Sequence, residues 1–393
     1  MKNVDILIAG GGLAGLSAAY SLAKLDYSIA LVSPKTSFVD TRTTALLHSS
    51  VEFFKKLEIW DEVATFSHPL KTMRIVDAST NLIRMPQGDF HASEIDLEAF
   101  GYNVQNKNLL AALNTCVKAQ KNIEVIDGSL TGLEPVENHH SAFNAEIDGQ
   151  SASFGAKFIV GADGRNSKVR EYFKFGEKRW SYPQTALVLD FEHEKSSEFV
   201  STEFHTKTGP FTIVPRSTSK AGLVWLETPQ RAQEILNFSD RELDQLLETQ
   251  MHSYLGKISA VSRPISFPME GLVARRFGNE NHALVGEAAH VFPPIGAQGY
   301  NLGIRDVEAL IDVMKRFAST ENRGEQYHKA RFSDVTTRTM GVDLLNRSLL
   351  SQFLPVKMFR STGMHFLNRL PALRKQIMKM GISPASLSQT IHN

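Results

Sequence analysis

The chain has 393 residues, 42 % hydrophobic and 22 % charged, with Lys+Arg 43 against Asp+Glu 42. Those proportions suit two or three globular domains and exclude a disordered chain. A net charge of +1 gives no bulk electrostatic case for nucleic-acid binding. The single cysteine, Cys116, excludes an internal disulfide framework and a multi-cysteine zinc site, and fits a reducing, cytoplasmic setting.

Ile6 to Ala23 carries no charged residue and could be taken for a signal peptide or a membrane span. Gly10, Gly11, Gly12 and Gly15 argue instead for a buried strand (Val4 to Ala9), a glycine turn and a helix (Leu13 to Leu25). A second strand at Ser28 to Val32 completes a βαβ start.

Gly10-x-Gly12-x-x-Gly15 opens that helix directly after that strand, the context a dinucleotide site requires. Gly10 permits the tight turn, Gly12 lets backbone approach a pyrophosphate, and Gly15 lets helix and strand pack closely. The helix N-terminus offers free N–H groups and a partial positive charge to the phosphates. Such sites usually end the second strand with Asp or Glu on the ribose, but here Ser33 stands there. Its hydroxyl can still bond ribose, without the strength of a carboxylate.

Three later segments narrow the choice of dinucleotide. Thr41 to Val63 begins with Arg42 and continues with helical spacing. Phe158 to Arg170 reads FIVGADGRNSKVR, an apolar strand end, then Asp163 and Gly164, then a helix start. Leu284 to Ile304 reads LVGEAAHVFPPIGAQGYNLGI, a short strand, a Gly-Pro-rich loop and a helix beginning near Asn301.

With these motifs in this order the whole chain resembles the class A FAD-dependent aromatic monooxygenases of the para-hydroxybenzoate hydroxylase type. The RTTAL run, GPFTIVP (Gly209 to Pro215), GLVWLE (Gly222 to Glu227) and DLLNRSLLSQFLP resemble the ubiquinone-biosynthesis hydroxylases within that group. The resemblance implies an α/β fold: a Rossmann-like FAD-binding domain, an inserted β-sheet substrate domain and C-terminal helices. The FAD-binding domain would comprise 1–72, 101–175 and 269–340, and the substrate domain 73–100 and 176–268. The runs ALVLDF, FTIVP and GLVWL read as strands of the latter, followed by a helix near Arg241 to Leu255.

The resemblance also implies site residues. Gly10, Gly12 and Gly15, with Leu13 and Ala14 of the same turn, would hold the FAD pyrophosphate. Ser33 would meet the ribose. Arg42 would approach the phosphates or the ribityl chain, and Gln105 would face the flavin. Asp163 belongs to a DG motif tied to FAD and NADPH binding. Glu287 takes the place of an aspartate that bonds ribityl hydroxyls and is one methylene longer. Gly299, Tyr300 and Asn301 would meet the flavin O2/N1 edge with backbone groups, and Pro294 would line the reacting face.

The implied activity is hydroxylation of the ring of a polyprenylated phenol in ubiquinone biosynthesis, with NAD(P)H as transient reductant and O2, through a flavin C4a-hydroperoxide. The flavin carries the chemistry, so no catalytic side chain and no metal is expected. Two other readings stay open: a hydroxylase of a soluble aromatic acid, and a non-catalytic flavin-binding scaffold within a quinone-making complex.

From Gly341 to Asn393 seven basic residues face one acid, Asp343, so this segment is +6 and the rest of the chain −5. Val342, Leu345 and Leu349, then Leu373, Ile377 and Met380, recur at helical spacing. The segment reads either as helices packed on the core or as a basic contact for the inner membrane or a partner complex.

Overall fold

The computed structural model describes residues 2–34, 40, 42–79, 84–136, 139–147, 150–260, 262–294, 296–317, 322–350 and 354–382. Of the C-terminal basic segment, 351–353 and 383–393 lie outside the described residues.

Strand β1 (Lys2–Ala9) turns at the glycines into helix α1 (Leu13–Ala23), and strand β2 (Ile29–Ser33) returns beside it, parallel and in register from Ile6 against Ile29. Ile123–Asp127 lies parallel outside β2. On the other side β1 pairs with the end of Gln150–Gly161, and His282–Leu284 lies beyond it, again parallel. Strands covered on both faces read as unbroken apolar runs, and Ile6 to Ala9, Ile29 to Val32 and Phe158 to Val160 are such runs, all buried. The long strand Gln150–Gly161 leaves this sheet at its start, where it joins an antiparallel meander with Leu130–Val136 and His139–Ile147.

A second sheet has nine strands, with Glu177–His193 near its centre between Lys220–Glu227 and Ile265–Ala274. Pro210–Pro215, Val200–His205, Thr72–Asp77 and Gly88–His91 continue it outward, and His290–Val291 closes the other edge. Alternation decides its two faces. Leu187, Leu189, Leu223 and Trp225 are buried beneath the helices Pro229–Leu236 and Asp240–Gln250. Ser239 begins the second of these with a reciprocal capping box to Glu242. The residues between them, Val188, Val214, Val224 and Phe267, are only half-buried and look the other way.

That second face meets a small sheet of Thr43–Leu47, Gly101–Gln105 and Ser67–Pro69. Here the sequence expectation needs correction. The run after Arg42 is a strand over Thr43–Leu47, and the helix begins only at His48. β-branched Thr43 and Thr44 and the pairing of Thr43 with Gln105 outweigh the helical spacing of the apolar residues. Three helices, Arg323–Leu350, Leu354–Arg369 and Pro371–Ile382, end the described chain.

Candidate functional site

Two helix N-termini lie together, the Tyr300 side chain of the second meeting Leu13 and Ser17 of the first. Gly10 has φ +106, open only to glycine at no cost, and its N–H donates to the Val32 carbonyl at 2.8 Å. A Cβ on Gly10 would lie 2.3 Å from the Ala162 carbonyl oxygen, and one on Gly15 would lie 1.9 Å from the Gly10 carbonyl oxygen. A Cβ on Gly12 would meet no protein atom within 4 Å. Gly10 and Gly15 are thus fixed by packing, whereas Gly12, the N-cap of α1, fronts open space with Leu13 and Ala14 just behind it.

The second N-terminus belongs to the helix Gln298–Arg316, whose N-cap Ala297 takes a left-handed conformation at φ +55. Gly299, like Gly12, would carry a Cβ into open space. Its neighbours are committed elsewhere. The Tyr300 hydroxyl and Ser17 Oγ share a hydrogen bond of 2.7 Å, which ties this helix to α1, and desolvation pushes the Tyr300 phenol pKa up. Asn301 Oδ1 accepts from Leu47 N at 2.9 Å and Ser50 Oγ at 2.7 Å, while its Nδ2 donates to the Ala45 and Ala297 carbonyls. The side chains of Tyr300 and Asn301 lock the helix start in place; the backbone N–H groups of Gly299 and Tyr300 lie in the first turn, where no earlier helical carbonyl pairs with them, whereas that of Asn301 is the first to have one, the carbonyl of the N-cap Ala297.

Around these starts stand four charged groups. Arg42 holds Asp40 with both arms of its guanidinium, Nε at 2.8 Å and Nη2 at 2.7 Å. Asn106 Nδ2 donates to the same carboxylate at 2.9 Å. Burial pushes the Asp40 pKa up, but Arg42 and Asn106 outweigh it and hold the carboxyl below its ordinary value. Glu287 lies on the short turn Gly286–Ala288, exposed, with Arg165 Nε 3.5 Å from its Oε2, and its charge also acts on Arg42. Gln105 ends its strand and caps the helix Asn106–Ala119. Ser33 ends β2, and its Oγ sits directly against Gly11. Pro294 is exposed and Pro293 buried.

Asp163 does two things. Its Oδ2 accepts from Lys168 N at 2.7 Å and Val169 N at 3.2 Å, capping the helix Lys168–Tyr172, and its Oδ1 is buried without a partner. A carboxylate oxygen in that condition calls for a donor from elsewhere.

Sequence reasoning missed the ionic cluster behind the site. His290 Nε2 lies 2.7 Å from Asp306 Oδ2, which also accepts from Gly286 N at 2.9 Å. Arg331 Nε donates to Asp306 Oδ1 at 2.7 Å. Asp334 joins Arg331, Arg305 and Arg338, and Arg338 reaches Gln298 Oε1 at 2.7 Å. Asp306 stands on the inner face of the same helix as Asn301, a polar residue among apolar ones, and that interruption was the available signal. Asp40 could have been found from its two-residue spacing to Arg42. Among the described residues no three His, Cys, Asp or Glu side chains gather as metal ligands.

The donor set fits FAD. Two neighbouring helix starts, each with a glycine fronting open space, present N–H groups and positive dipoles suited to a pyrophosphate and to the anionic edge of a reduced flavin. Glu287 is an exposed acceptor for hydroxyls, and Asp163 Oδ1 is an orphan acceptor. Residues that would hold the cofactor are Gly12, Leu13, Ala14 and Gly299 through backbone, with Arg42 and Glu287 through side chains.

Comparison with known proteins agrees. Residues 3–337 match the FAD binding domain family. The 3-demethoxyubiquinol 3-hydroxylase of Escherichia coli is 28 % identical over 97 % of this chain and 99 % of its own. The ubiquinone hydroxylase UbiL of Rhodospirillum rubrum is 28 % identical over 98 % of this chain and 91 % of its own. Among solved structures, PqsL of Pseudomonas aeruginosa, described as a probable FAD-dependent monooxygenase, shares the fold at a TM-score of 0.78 and 20 % identity, over 93 % of this chain and 100 % of that one. The p-nitrophenol 4-monooxygenase PnpA of Pseudomonas putida does so at 0.79 and 15 %, over 96 % and 97 %. With a family match over most of its length and helix starts suited to that cofactor, the chain belongs to the FAD binding domain family.

Proposed function

We propose that this chain, an FAD-dependent monooxygenase, hydroxylates the aromatic ring of a polyprenylated phenol in ubiquinone biosynthesis. The observation that carries the reading is an apolar sheet face turned toward Arg42 and the strand that follows it. Val188, Val214, Val224 and Phe267 form a half-buried apolar face of the nine-stranded sheet, turned toward Arg42 and Thr43. A ring with a long apolar tail would bury surface there, at roughly 25 cal/mol per Å².

The cations at this face disfavour a soluble aromatic acid as substrate. Arg42 already holds Asp40, and Arg216 already holds Asp190. Binding a substrate carboxylate would mean breaking one of those pairs. A non-catalytic scaffold would follow if Ser33 and Glu287 failed to hold the cofactor. Ser33 ends its strand with a hydroxyl and Glu287 presents an exposed carboxylate, so neither is an obstacle to binding.

Bound FAD supplies the redox chemistry: hydride uptake from NAD(P)H and activation of O2 for transfer of one oxygen atom to an electron-rich ring carbon. The side chains position and shield. The sheet face excludes water from the ring, and the Gln298–Arg316 helix dipole favours negative charge at its start. His290 is sealed against Asp306 with a side chain 1 % exposed, so it does not reach a substrate. We read the nine-stranded sheet as the substrate-covering unit, and we place contact with a membrane, where such a phenol dissolves, on the basic C-terminal segment.

The test is anaerobic reduction of FAD by NADPH in the purified, FAD-supplemented protein, with and without a short-chain prenylphenol. The expected result is reduction accelerated by the phenol, and hydroxylated phenol once O2 is admitted. Reduction at one rate whatever phenol is present, with H2O2 as the only oxygen product, would sink the proposed substrate.

A further inference from the structure

Helices Leu354–Arg369 and Pro371–Ile382 pack against the edge of the nine-stranded sheet along one side only. Arg374 grips Glu94 with Nε at 2.7 Å and Nη2 at 2.8 Å, and lies 4.3 Å over the ring of Phe90. Met378 is buried with Ala92, Ile95 and Phe100, and Asn368 Nδ2 donates to the Gln87 carbonyl at 3.1 Å. These contacts hold the helices in a fixed orientation.

A different stripe of the same helices faces outward. Phe366, Leu370, Leu373, Ile377 and Met380 follow one another at intervals of four, three, four and three residues, and all are between 39 % and 62 % exposed. The break at Leu370 does not interrupt the stripe: Leu370 N donates to the Phe366 carbonyl at 2.9 Å and Arg374 N to the Leu370 carbonyl at 3.0 Å. At 3.6 residues per turn this apolar row stands roughly 100° around the helix from the Arg374–Met378 face. Scattered exposed apolar residues need no explanation, but a contiguous row does. Of the thirteen large apolar side chains exposed among the described residues, eight lie between 340 and 380.

Charge selects what covers the row. From His365 to Ile382 there is no Asp or Glu, while Arg369, Lys375 and Lys379 are exposed on the polar face. A second copy laid on this stripe would bring cations against cations. An anionic bilayer would accept the apolar row in its interface and the cations at its headgroups. Among the described residues no helix is long and apolar enough to cross a membrane, so the contact is one of lying on the surface.

We infer that Phe366, Leu370, Leu373, Ile377 and Met380 form a preformed amphipathic foot that docks this chain on an anionic phospholipid surface. The inference rests on the membrane contact of the proposed function, but its test does not use the reaction.

The full-length protein is sedimented with vesicles of phosphatidylcholine containing phosphatidylglycerol, and with pure phosphatidylcholine. Capture is expected only with the anionic vesicles, and it should fade in molar salt, where the Debye length falls to about 3 Å. Leu373→Glu with Ile377→Glu should cut capture more than about tenfold by removing the apolar row. Lys375→Glu with Lys379→Glu should cut it similarly, at roughly fivefold per cation before reversal of sign. Thermal unfolding confirms that each variant is folded, as expected for four exposed side chains.

Equal capture by both kinds of vesicle, capture unchanged in the Leu373/Ile377 variant, or no capture at all overturns the proposal. So does a dimer that the Leu373/Ile377 variant converts to monomer without any vesicle binding, which would assign the stripe to a second copy. Hydroxylation of a short-chain phenol, measured without vesicles, keeps the two failures apart. Activity without capture sinks the foot alone, and capture without activity sinks the substrate alone.

Discussion

His290 and Asp306 meet through Nε2 and Oδ2 at 2.7 Å, each side chain 1 % exposed, directly behind the turn that carries Glu287. The same carboxylate holds the Gly286 N–H and Arg331, so one buried charge sets the backbone of that turn and anchors the Arg323–Leu350 helix. Burial pushes the Asp306 pKa up, and His290 and Arg331 outweigh it and hold the carboxyl below its ordinary range. Removing one member of such a cluster costs about 3–5 kcal/mol when a buried charge is left uncompensated. Asp306→Asn leaves Arg331 only its pairing with Asp334 and should cost about 3 kcal/mol, the low end of that range, together with weaker FAD binding. His290→Gln keeps a donor to Asp306 and should cost only about 1 kcal/mol. Thermal unfolding and FAD titration of both variants check the order. Equal losses would show that the charge on Asp306 is not what organises the turn.

The glycines of the first turn should separate into two kinds. Gly15→Ala drives a methyl into the Gly10 carbonyl, so the protein should unfold at lower temperature even without FAD. Gly12→Ala meets no protein atom, and Gly12 sits at φ −74, which alanine adopts freely. The apoprotein should therefore melt as the parent does, while FAD binding weakens at least about tenfold, because the methyl occupies the space of the pyrophosphate. A Gly12→Ala protein that binds FAD normally would move the phosphate site away from α1.

Much of this was legible in the sequence because local rules and tertiary packing agree there. The βαβ start, the strand at Pro210–Pro215 and the helix at Gln298 follow from apolar runs and glycine positions. The strand at Thr43–Leu47 was not legible, since its pairing with Gly101–Gln105 is set by a partner more than fifty residues away. The Asp306 cluster was hidden for a related reason: its members, from Gly286 to Asp334, are spread over four separate elements, and only packing brings them together. Helical periodicity in the tail was visible, but not which face is covered. Leu373, Ile377 and Met380 look like core residues in the sequence and stand exposed in the fold.

Glu287 offers a direct test of whether its turn binds a cofactor hydroxyl. It is half exposed and only loosely paired with Arg165, so neutralising it should leave folding intact. As an acceptor for a cofactor hydroxyl its charged bond would be worth about 1.5–3 kcal/mol. Glu287→Gln should therefore raise the FAD dissociation constant about tenfold, read from quenching of flavin fluorescence, with the unfolding temperature of the apoprotein unchanged. A dissociation constant equal to the parent's would remove Glu287 from the cofactor site.

The pH dependence of stability should have a component from His282. This ring stacks on Phe173 at 3.6 Å, and its Nδ1 lies 3.1 Å from the Asn279 carbonyl, while burial lowers its pKa to about 4. The unfolded chain binds this proton near the ordinary value of about 6.5, so the folded state favours the neutral ring. Its contribution is fully present above pH 6.5 and is lost as pH falls from there toward 4. A shift of this size corresponds to roughly 3 kcal/mol. Asp306, with its pKa below the ordinary carboxylate range, loses its contribution only at lower pH, so the two windows separate. His68, His193 and His328 are also lowered by burial and share the upper window, which means that the slope is reduced and not abolished when His282 is replaced. His282→Phe keeps the stacking on Phe173 and removes the proton. Urea unfolding of this variant between pH 7 and 4.5 should show a shallower fall in stability than the parent, with a lower starting value for the lost bond to Asn279. Parallel pH profiles for the two proteins would mean that His282 is not titrating with folding.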